Sequence, residues 1–197
     1  MKTISIIKSI IITVLLSGYV NAAPSEWSID PAHSGIYFDV KHIFSTVKGR
    51  FNDFSATVII DKEKVSDSSV YFEVQVKSIN TNIDQRDAHL RTGDFFDADK
   101  FPVMKFKSTS VTHVTGNNYL LKGDFTIKDV TKKIEIPFRY LGTKDNPMKP
   151  GKLVSGFECS FTINRLDYGV GDGKFYTQGL VGKDVDITIS LELEKSK

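Results

Sequence analysis

Apolar and polar residues alternate one by one in many segments of this chain, and this period of two constrains its fold more than any other feature. Residues 70–77 show it most clearly: even positions hold Val, Phe, Val and Val, while odd positions hold Tyr, Glu, Gln and Lys. Successive side chains of a β-strand point to opposite faces, so the pattern is typical of strands with one buried face. Eight segments carry it, at residues 36–42, 50–60, 70–77, 104–113, 119–127, 134–140, 157–163 and 185–193.

These segments predict an all-β fold, because no long stretch has the period of an α-helix. Most of the connections are short enough for hairpins, which indicates an antiparallel arrangement. An open sheet would expose two edge strands, whereas closure into an eight-stranded barrel removes both edges and leaves room for one small ligand. We therefore expect an eight-stranded antiparallel barrel, although a β-sandwich fits the same alternation.

Residues 1–22 have the organisation of a secretory signal peptide. Lys2 and Lys8 supply positive charge, a mainly apolar run follows, and the segment ends in small residues. We expect cleavage after Ala22, which leaves residues 23–197 as a single domain. The alternative is a membrane anchor, for which the apolar run is short.

Charge and cysteine content narrow the classes of partner. Removal of the signal takes away two lysines and no acid, so the 26 basic and 24 acidic residues become 24 of each. A neutral protein is a poor match for nucleic acid or an anionic membrane as its main partner, since both require clustered Lys and Arg.

Cys159 is the only cysteine, so no internal disulfide can form. Its place between Phe157 and Phe161 predicts a buried, inert thiol, with intermolecular pairing or thiol chemistry as alternatives.

Between residues 78 and 106 the alternation stops. Charged and aromatic side chains are concentrated in this insert, at Arg86, Asp87, His89, Arg91, Asp94, Phe95 and Phe96. Such a mixture suits a boundary between water and an apolar space, so we predict a short helix or loop near residues 80–100 that forms the mouth of the barrel. Arg86 or Arg91 would bind the polar head of a ligand there, because a guanidinium matches phosphate and carboxylate geometry. Alternatively, Arg86–Asp87 and Arg91–Asp94 pairs only order the insert.

The sequence has no recognisable catalytic or metal site. Its histidines are His33, His42, His89 and His113. Their spacing matches no compact metal site, although His42 shares the apolar face of its strand. No Gly-x-Ser-x-Gly motif occurs, and the glycine-rich stretch 169–173 predicts a flexible loop. Arg165 and Asp167 predict a local ion pair where a strand ends. We therefore expect no enzyme activity, no metal and no resident cofactor.

A series of motifs runs through residues 23–197. They are Trp27-x-Ile29-Asp30-x-x-His33-Ser34-x-Ile36-x-Phe38-x-Val40-x-His42, Val47-x-Gly49-x-Phe51-x-x-Phe54, Ser78-Ile79-x-Thr81, Arg86-Asp87-x-His89-Leu90, Asp94-Phe95-Phe96-Asp97, Phe101-Pro102, Thr126-Ile127-Lys128-Asp129-Val130-Thr131-Lys132 and Asn164-Arg165-x-Asp167-Tyr168-Gly169. In content and order they resemble the YceI family of secreted bacterial lipid-binding proteins. Two positions differ from that family's usual pattern: Asp129 stands where glycine is common, and Tyr168 where Phe or Trp is common. Both changes are conservative.

The resemblance implies a lipocalin-like barrel whose lumen holds a long apolar chain, such as a polyisoprenoid, an isoprenoid quinone or a fatty amide. The lumen would be lined by the inward side chains Phe38, Val40, His42, Phe72, Val74, Phe106, Phe125, Phe138, Phe157 and Phe161. In the alternative, the same side chains fill the interior as a packed core. The identity of the head group, the direction of any transport and dimerisation stay open.

Three functions compete at this point. The leading hypothesis is a periplasmic binding or carrier protein for such a lipid. The second is an enzyme or redox module that acts on a bound quinone or lipid through His42, His89 or Asp87, or that holds a histidine-ligated haem. The third is an envelope stress or adhesion factor that works through protein contacts.

Overall fold

The computed structural model describes residues 25–61 and 64–197. The predicted signal peptide lies outside the described residues. The elements are β1 (Ser25–Ile29), β2 (Gly35–His42), β3 (Ser45–Phe51), β4 (Phe54–Ile60), β5 (Ser69–Gln75), β6 (Ile79–Asn80), α1 (Asp84–Arg91), β7 (Val103–Thr115), β8 (Asn118–Ile127), β9 (Val130–Asp145), β10 (Lys152–Asn164), α2 (Lys174–Thr177) and β11 (Val181–Ser196). In this part of the chain, neither helix is long and apolar enough to cross a membrane.

The strands form one antiparallel sheet that closes into a barrel. The order around the ring is β1-β4-β5-β7-β8-β9-β10-β11, and pairing of β11 with β1 closes it. Three of the long strands are interrupted and consist of two segments each: β1 with β2, β3 with β4, and β5 with β6. The eleven segments therefore make eight long strands. The predicted eight-stranded antiparallel barrel is confirmed.

The first interruption follows from Asp30 and Pro31. Proline has no N–H to give to the sheet, so the strand cannot continue through it unchanged. The Asp30 carboxylate accepts a hydrogen bond from the backbone N–H of Ala32 at 3.0 Å, which stabilises a turn instead. The chain resumes at Gly35 beside β11.

The two ends of the barrel differ. We call one the loop end, because it holds the β4–β5, β7–β8 and β9–β10 connections. The other is the helical end, which holds the β2–β3 turn, the insert with α1, the β8–β9 turn and the β10–β11 connection with α2. The helix predicted near residues 80–100 is therefore α1, and the insert lies at one end of the barrel.

The interior is packed unevenly. Ile79, Phe95 and Tyr168 are buried at the helical end, and Trp27 and Leu193 are buried together toward the loop end. Between these clusters the inward aromatic side chains of β8 to β10 are only half-buried, at Phe125, Phe138, Phe157 and Phe161. These rings therefore face open space rather than a filled core.

Candidate ligand-binding site

A cavity of about 640 Å³ runs through the barrel. Its wall reaches from Ile60 and Val65 near the loop end to Phe95 and Phe175 at the helical end. Most of the lining side chains are aliphatic or aromatic. This volume lies within the range of about 300–1,000 Å³ that is usual for small-molecule sites.

All ten side chains predicted to face the lumen lie on the cavity wall. Nine are apolar and come from six of the long strands, as the parity of each strand requires. His42 also lines the cavity but is an exposed residue, because it closes β2 at the edge of the helical end. It is a rim residue rather than a core histidine.

Two of the aromatic rings lie over glycines on the neighbouring strand. Phe38 is paired with Gly49, and the Phe106 ring packs over Gly123. A Cβ atom at either glycine would overlap the ring. Because each ring lies along the wall, neither reaches across the barrel, and the centre stays open.

The predicted mouth residues fall into two groups. Arg86, His89, Phe95 and Phe96 line the cavity, and Asp87, Arg91 and Asp94 are absent from its wall. The insert therefore contributes to the site mainly through aromatic groups and two nitrogen-bearing side chains.

Hydrogen bonds hold the charged groups of the insert. The buried Asp87 carboxylate accepts from the N–H of Thr81 at 2.9 Å and from its hydroxyl at 2.5 Å. Arg86 donates to the hydroxyl and carbonyl oxygens of Thr81, and Arg91 donates to the carbonyls of Lys77 and Ile79. These bonds order the insert, but neither predicted pair, Arg86–Asp87 or Arg91–Asp94, is among its ion pairs in the described part of the chain.

Aromatic side chains close the helical end. The rings of Phe95 and Phe175 stack with centroids 5.6 Å apart, and the His89 ring meets Phe95 edge-on at 5.2 Å. His89 Nε2 lies 2.9 Å from an Asp94 carboxylate oxygen, and this hydrogen bond lowers the pKa of Asp94. His89 is thereby fixed in orientation beside the cavity.

Arg165 is a charged cavity residue that the sequence did not indicate as part of the site. Its guanidinium is buried and donates to the carbonyls of Gly182 at 2.8 Å, Val170 at 2.6 Å and Val181 at 3.4 Å. The predicted Arg165–Asp167 pair is wrong, because Asp167 accepts from Lys132 and Asn164 instead.

The Arg165 charge is partly compensated by the electrostatic attraction of Asp172 and by the Phe95 ring, whose centre lies 5.9 Å from the guanidinium carbon. Burial lowers its pKa, because the charged form loses solvation. Three of the five guanidinium hydrogens have carbonyl acceptors, and no carboxylate in the described residues forms a salt bridge with it. Two donors therefore remain for a ligand or water.

Comparison with known proteins identifies the family to which this chain belongs. The sequence model of the YceI-like domain matches residues 27–193. The chain belongs to the YceI-like family. Its relatives include a UPF0312 protein of Shewanella denitrificans, 36% identical over 80% of this chain and 82% of that protein. Another is the UPF0312 protein SAB2563 of Staphylococcus aureus, 36% identical over 88% of this chain and 99% of that protein.

Solved structures share the fold of this YceI-like chain. Burkholderia cenocepacia BcnA superposes with a TM-score of 0.74 at 24% identity, over 85% of this chain and 99% of that one. The Campylobacter jejuni YCEI protein gives 0.69 at 28% identity, over 80% and 90%. A polyisoprenoid-binding domain from Saccharophagus degradans gives 0.61 at 15% identity, over 87% and 98%.

The loop end of the YceI-like barrel carries neutral polar groups. Tyr140 donates to the Thr143 hydroxyl at 2.6 Å, which donates to the Ser155 hydroxyl at 2.9 Å. All three side chains line the cavity. The cavity is thus bordered by these hydroxyls and by Asp61 toward one end and by guanidinium groups at the other.

Cys159 lies on the cavity wall at mid-barrel. Burial raises the pKa of its thiol to about 11, so the thiol is protonated at neutral pH. A protonated thiol is a poor nucleophile and a poor metal ligand. The side chain therefore acts as part of the apolar wall, as an inert thiol would.

One trio of possible metal ligands occurs among the described residues. Ligand atoms of Asp30, His33 and Glu192 lie within 4.8 Å of one another at the protein surface. The His33 ring hydrogen-bonds Asp30 at 3.1 Å, and the Lys149 ammonium lies 3.8 Å from the same carboxylate. An ammonium at that distance opposes a bound cation, so this trio is better described as a surface ion-pair cluster.

Proposed function

We propose that this protein binds one long apolar chain of isoprenoid type in its barrel and carries it without covalent chemistry. The observation that supports this most directly is the continuous, aromatic-lined cavity of about 640 Å³. The fold that it shares with a polyisoprenoid-binding domain agrees with this ligand class.

The energetics favour a long chain over a short one. Burial of each methylene contributes about 0.8 kcal/mol, so about 15 carbons contribute roughly 12 kcal/mol before costs. Association costs about 4–15 kcal/mol, so a much shorter chain would be held weakly. A polyisoprenoid, the tail of an isoprenoid quinone and a fatty amide all satisfy this requirement.

The polar end of the ligand belongs at the helical end of the cavity. Arg165 and Arg86 line the wall there, and Arg165 retains donors without a protein acceptor. A head group with oxygen acceptors, such as a phosphate or a quinone carbonyl, would satisfy those donors. With the predicted signal peptide, this makes the protein a periplasmic lipid carrier.

Native mass spectrometry of the purified protein, followed by solvent extraction, tests the proposal. We expect a non-covalent adduct that releases a long-chain prenyl compound. An empty protein that also fails to bind added prenyl chains would contradict it.

A matched pair of variants links that binding to the cavity. Cys159→Trp places a large side chain in the lumen, whereas Ser160→Trp places it on the exposed face of the same strand. We expect Cys159→Trp to reduce prenyl-chain binding about tenfold or more, because filling the lumen removes the buried contact area. Ser160→Trp should bind as the parent does. Equal binding by both variants would place the ligand outside the barrel.

A further inference from the structure

The β2–β3 turn presents two large apolar side chains to solvent. Phe44 is 102% exposed and Ile43 is 52% exposed. They are the two central residues of a hairpin in which His42 pairs with Ser45. Phe44 therefore contributes nothing to the packing of the barrel, and about half of Ile43 is left in solvent.

The backbone of this turn is strained. Ile43 has a φ of 51°, a left-handed conformation that is unfavourable for a β-branched residue. Two-residue hairpin turns normally place glycine, asparagine or aspartate at such a position. A residue that suits the turn poorly and packs poorly points to a role outside folding.

The turn is held firmly on one side only. The N–H of Ile43 donates to the carbonyl of Leu180 at 3.1 Å, and β11 pairs with β2 up to His42. On the other side β6 pairs only with Arg50 and Phe51 of β3. Residues 45–49 therefore have no strand partner away from β2 in the described sheet.

This unpaired stretch borders the cavity. Val47 lines the cavity on the β3 side, and Leu90 and Phe96 line it from the insert. The ladder of backbone hydrogen bonds is interrupted between these two groups, so a chain entering there would break no strand pair. We take this gap as the opening, and Ile43 and Phe44 lie at its rim.

The surroundings of the tip suit a membrane surface. Lys41 and Lys183 have no carboxylate within salt-bridge distance among the described residues, and the Lys183 ammonium lies 5.8 Å from the ring centre of the exposed Tyr176. Apolar tips flanked by lysine and tyrosine are typical of segments that sit at the lipid headgroup level. Because the domain is neutral overall, the attraction is local and the contact transient.

We propose that the helical end docks on a bilayer containing anionic lipid, with Ile43 and Phe44 inserted at the interface and the gap turned toward the membrane. This proposal rests on the proposed function, since docking there lets an apolar cargo enter without crossing water.

A double variant tests the docking. Ile43→Gly with Phe44→Ser removes both apolar groups, and the glycine accepts the positive φ, so the barrel should stay folded. We expect its partition onto vesicles of phosphatidylcholine with about 30% phosphatidylglycerol to fall about tenfold or more. Met148→Ser, a similarly exposed apolar residue on the loop end, is the control and should not change it. Equal partition of parent and double variant overturns the proposal.

Two delivery routes separate docking from binding. A fluorescent prenyl alcohol is supplied either in vesicles or as a soluble cyclodextrin complex. Docking predicts that the double variant takes up the probe normally from cyclodextrin and slowly from vesicles. Slow uptake by both routes, or equal uptake from vesicles, overturns docking while leaving the proposed function standing. Absence of probe binding in the parent protein overturns the proposed function itself.

Insertion can also be observed directly. Phe44→Trp should show a blue-shifted, quencher-shielded emission with vesicles, whereas Met148→Trp should not. If the double variant instead changes only the oligomeric state in sedimentation, the tip is a contact between copies and docking is wrong.

Discussion

At the scale of single residues, Arg165 raises the main question, namely whether it stabilises the fold, binds the ligand, or does both. A buried guanidinium that relies on backbone carbonyls keeps its charge available to the cavity. It also ties the chain after β10 to the start of β11. The two roles, positioning and recognition, can be separated by substitution.

Arg165→Met should lower the free energy of unfolding by about 2–3 kcal/mol, because it leaves buried carbonyls without donors. Arg165→Lys should lower the free energy of unfolding by less, because an ammonium group can keep some of the hydrogen bonds to the carbonyls. Chemical denaturation measures both, and Arg139→Met, in an exposed ion pair, should change stability by less than about 1 kcal/mol.

The same variants test the head group. We expect the parent and Arg165→Lys to prefer a prenyl phosphate over the matching prenyl alcohol, and Arg165→Met to lose this preference. An unchanged preference in Arg165→Met would show that the arginine only stabilises the fold.

Residue positions could be predicted where they depend on local geometry. The parity of a strand places Phe72, Phe125 and Phe161 on the inner wall without knowledge of any partner. Arg165 could not be placed in this way, because its acceptors belong to a distant strand and a loop. The nearby Asp167 was the obvious partner by sequence distance, yet it contacts Lys132 of β9.

At the scale of elements, the β9–β10 connection is anchored to the barrel by Glu194 of β11. Its carboxylate is buried and lies 2.8 Å from both the Asn146 amide and the Lys149 ammonium, with Lys152 at 3.5 Å. The hydrogen bond from Lys149 is the main reason that the pKa of Glu194 falls below its ordinary value of 4.5.

Glu194→Gln should lower the melting temperature by about 2–4 °C near neutral pH. A carboxylate with a depressed pKa in the folded state stabilises above its unfolded pKa, and this contribution is lost as the pH falls through the folded pKa. The difference between parent and variant should therefore shrink below a pH of 4.5. Calorimetry over a pH series measures it, with Glu135→Gln, at an exposed pair, as control. A difference that persists in acid would assign the effect to packing.

The type of each element was predicted better than its first and last residues. β9 spans Val130–Asp145 whereas the pattern indicated 134–140. Its burial alternates from Val130 to Leu141, but Lys132 and Gly142 hold less exposed positions beyond 134–140, so the apolar signal is lost there. The short helix in the insert is present as α1. It begins after Ile83 without a side-chain cap, and Asn80 accepts a hydrogen bond from the N–H of Asn82 instead.

At the scale of the whole molecule, the proposed binding would make stability depend on the ligand. A ligand that binds only the folded protein stabilises it in proportion to the logarithm of its concentration. A hundredfold excess over the dissociation constant contributes about 2.7 kcal/mol.

Solvent-stripped, refolded protein should therefore melt about 5–10 °C below the loaded protein, and added prenyl chain should restore the difference. Cys159→Trp should gain much less in melting temperature from the same added lipid, because its affinity is expected to be about tenfold or more lower. Differential scanning calorimetry makes the comparison. A stripped protein that melts with the loaded one would mean that the lumen does not hold the cargo.

The unpaired stretch of β3 has a consequence of another kind. Full closure of a barrel removes every free edge, but an exposed edge is also a template on which other chains can add strands. Here the open edge is limited to residues 45–49, carries Lys48 in a salt bridge with Asp39, and ends in an irregular turn. Each of these features discourages edge-to-edge pairing. The described sheet thus keeps a short unpaired edge at residues 45–49 that is protected against aggregation.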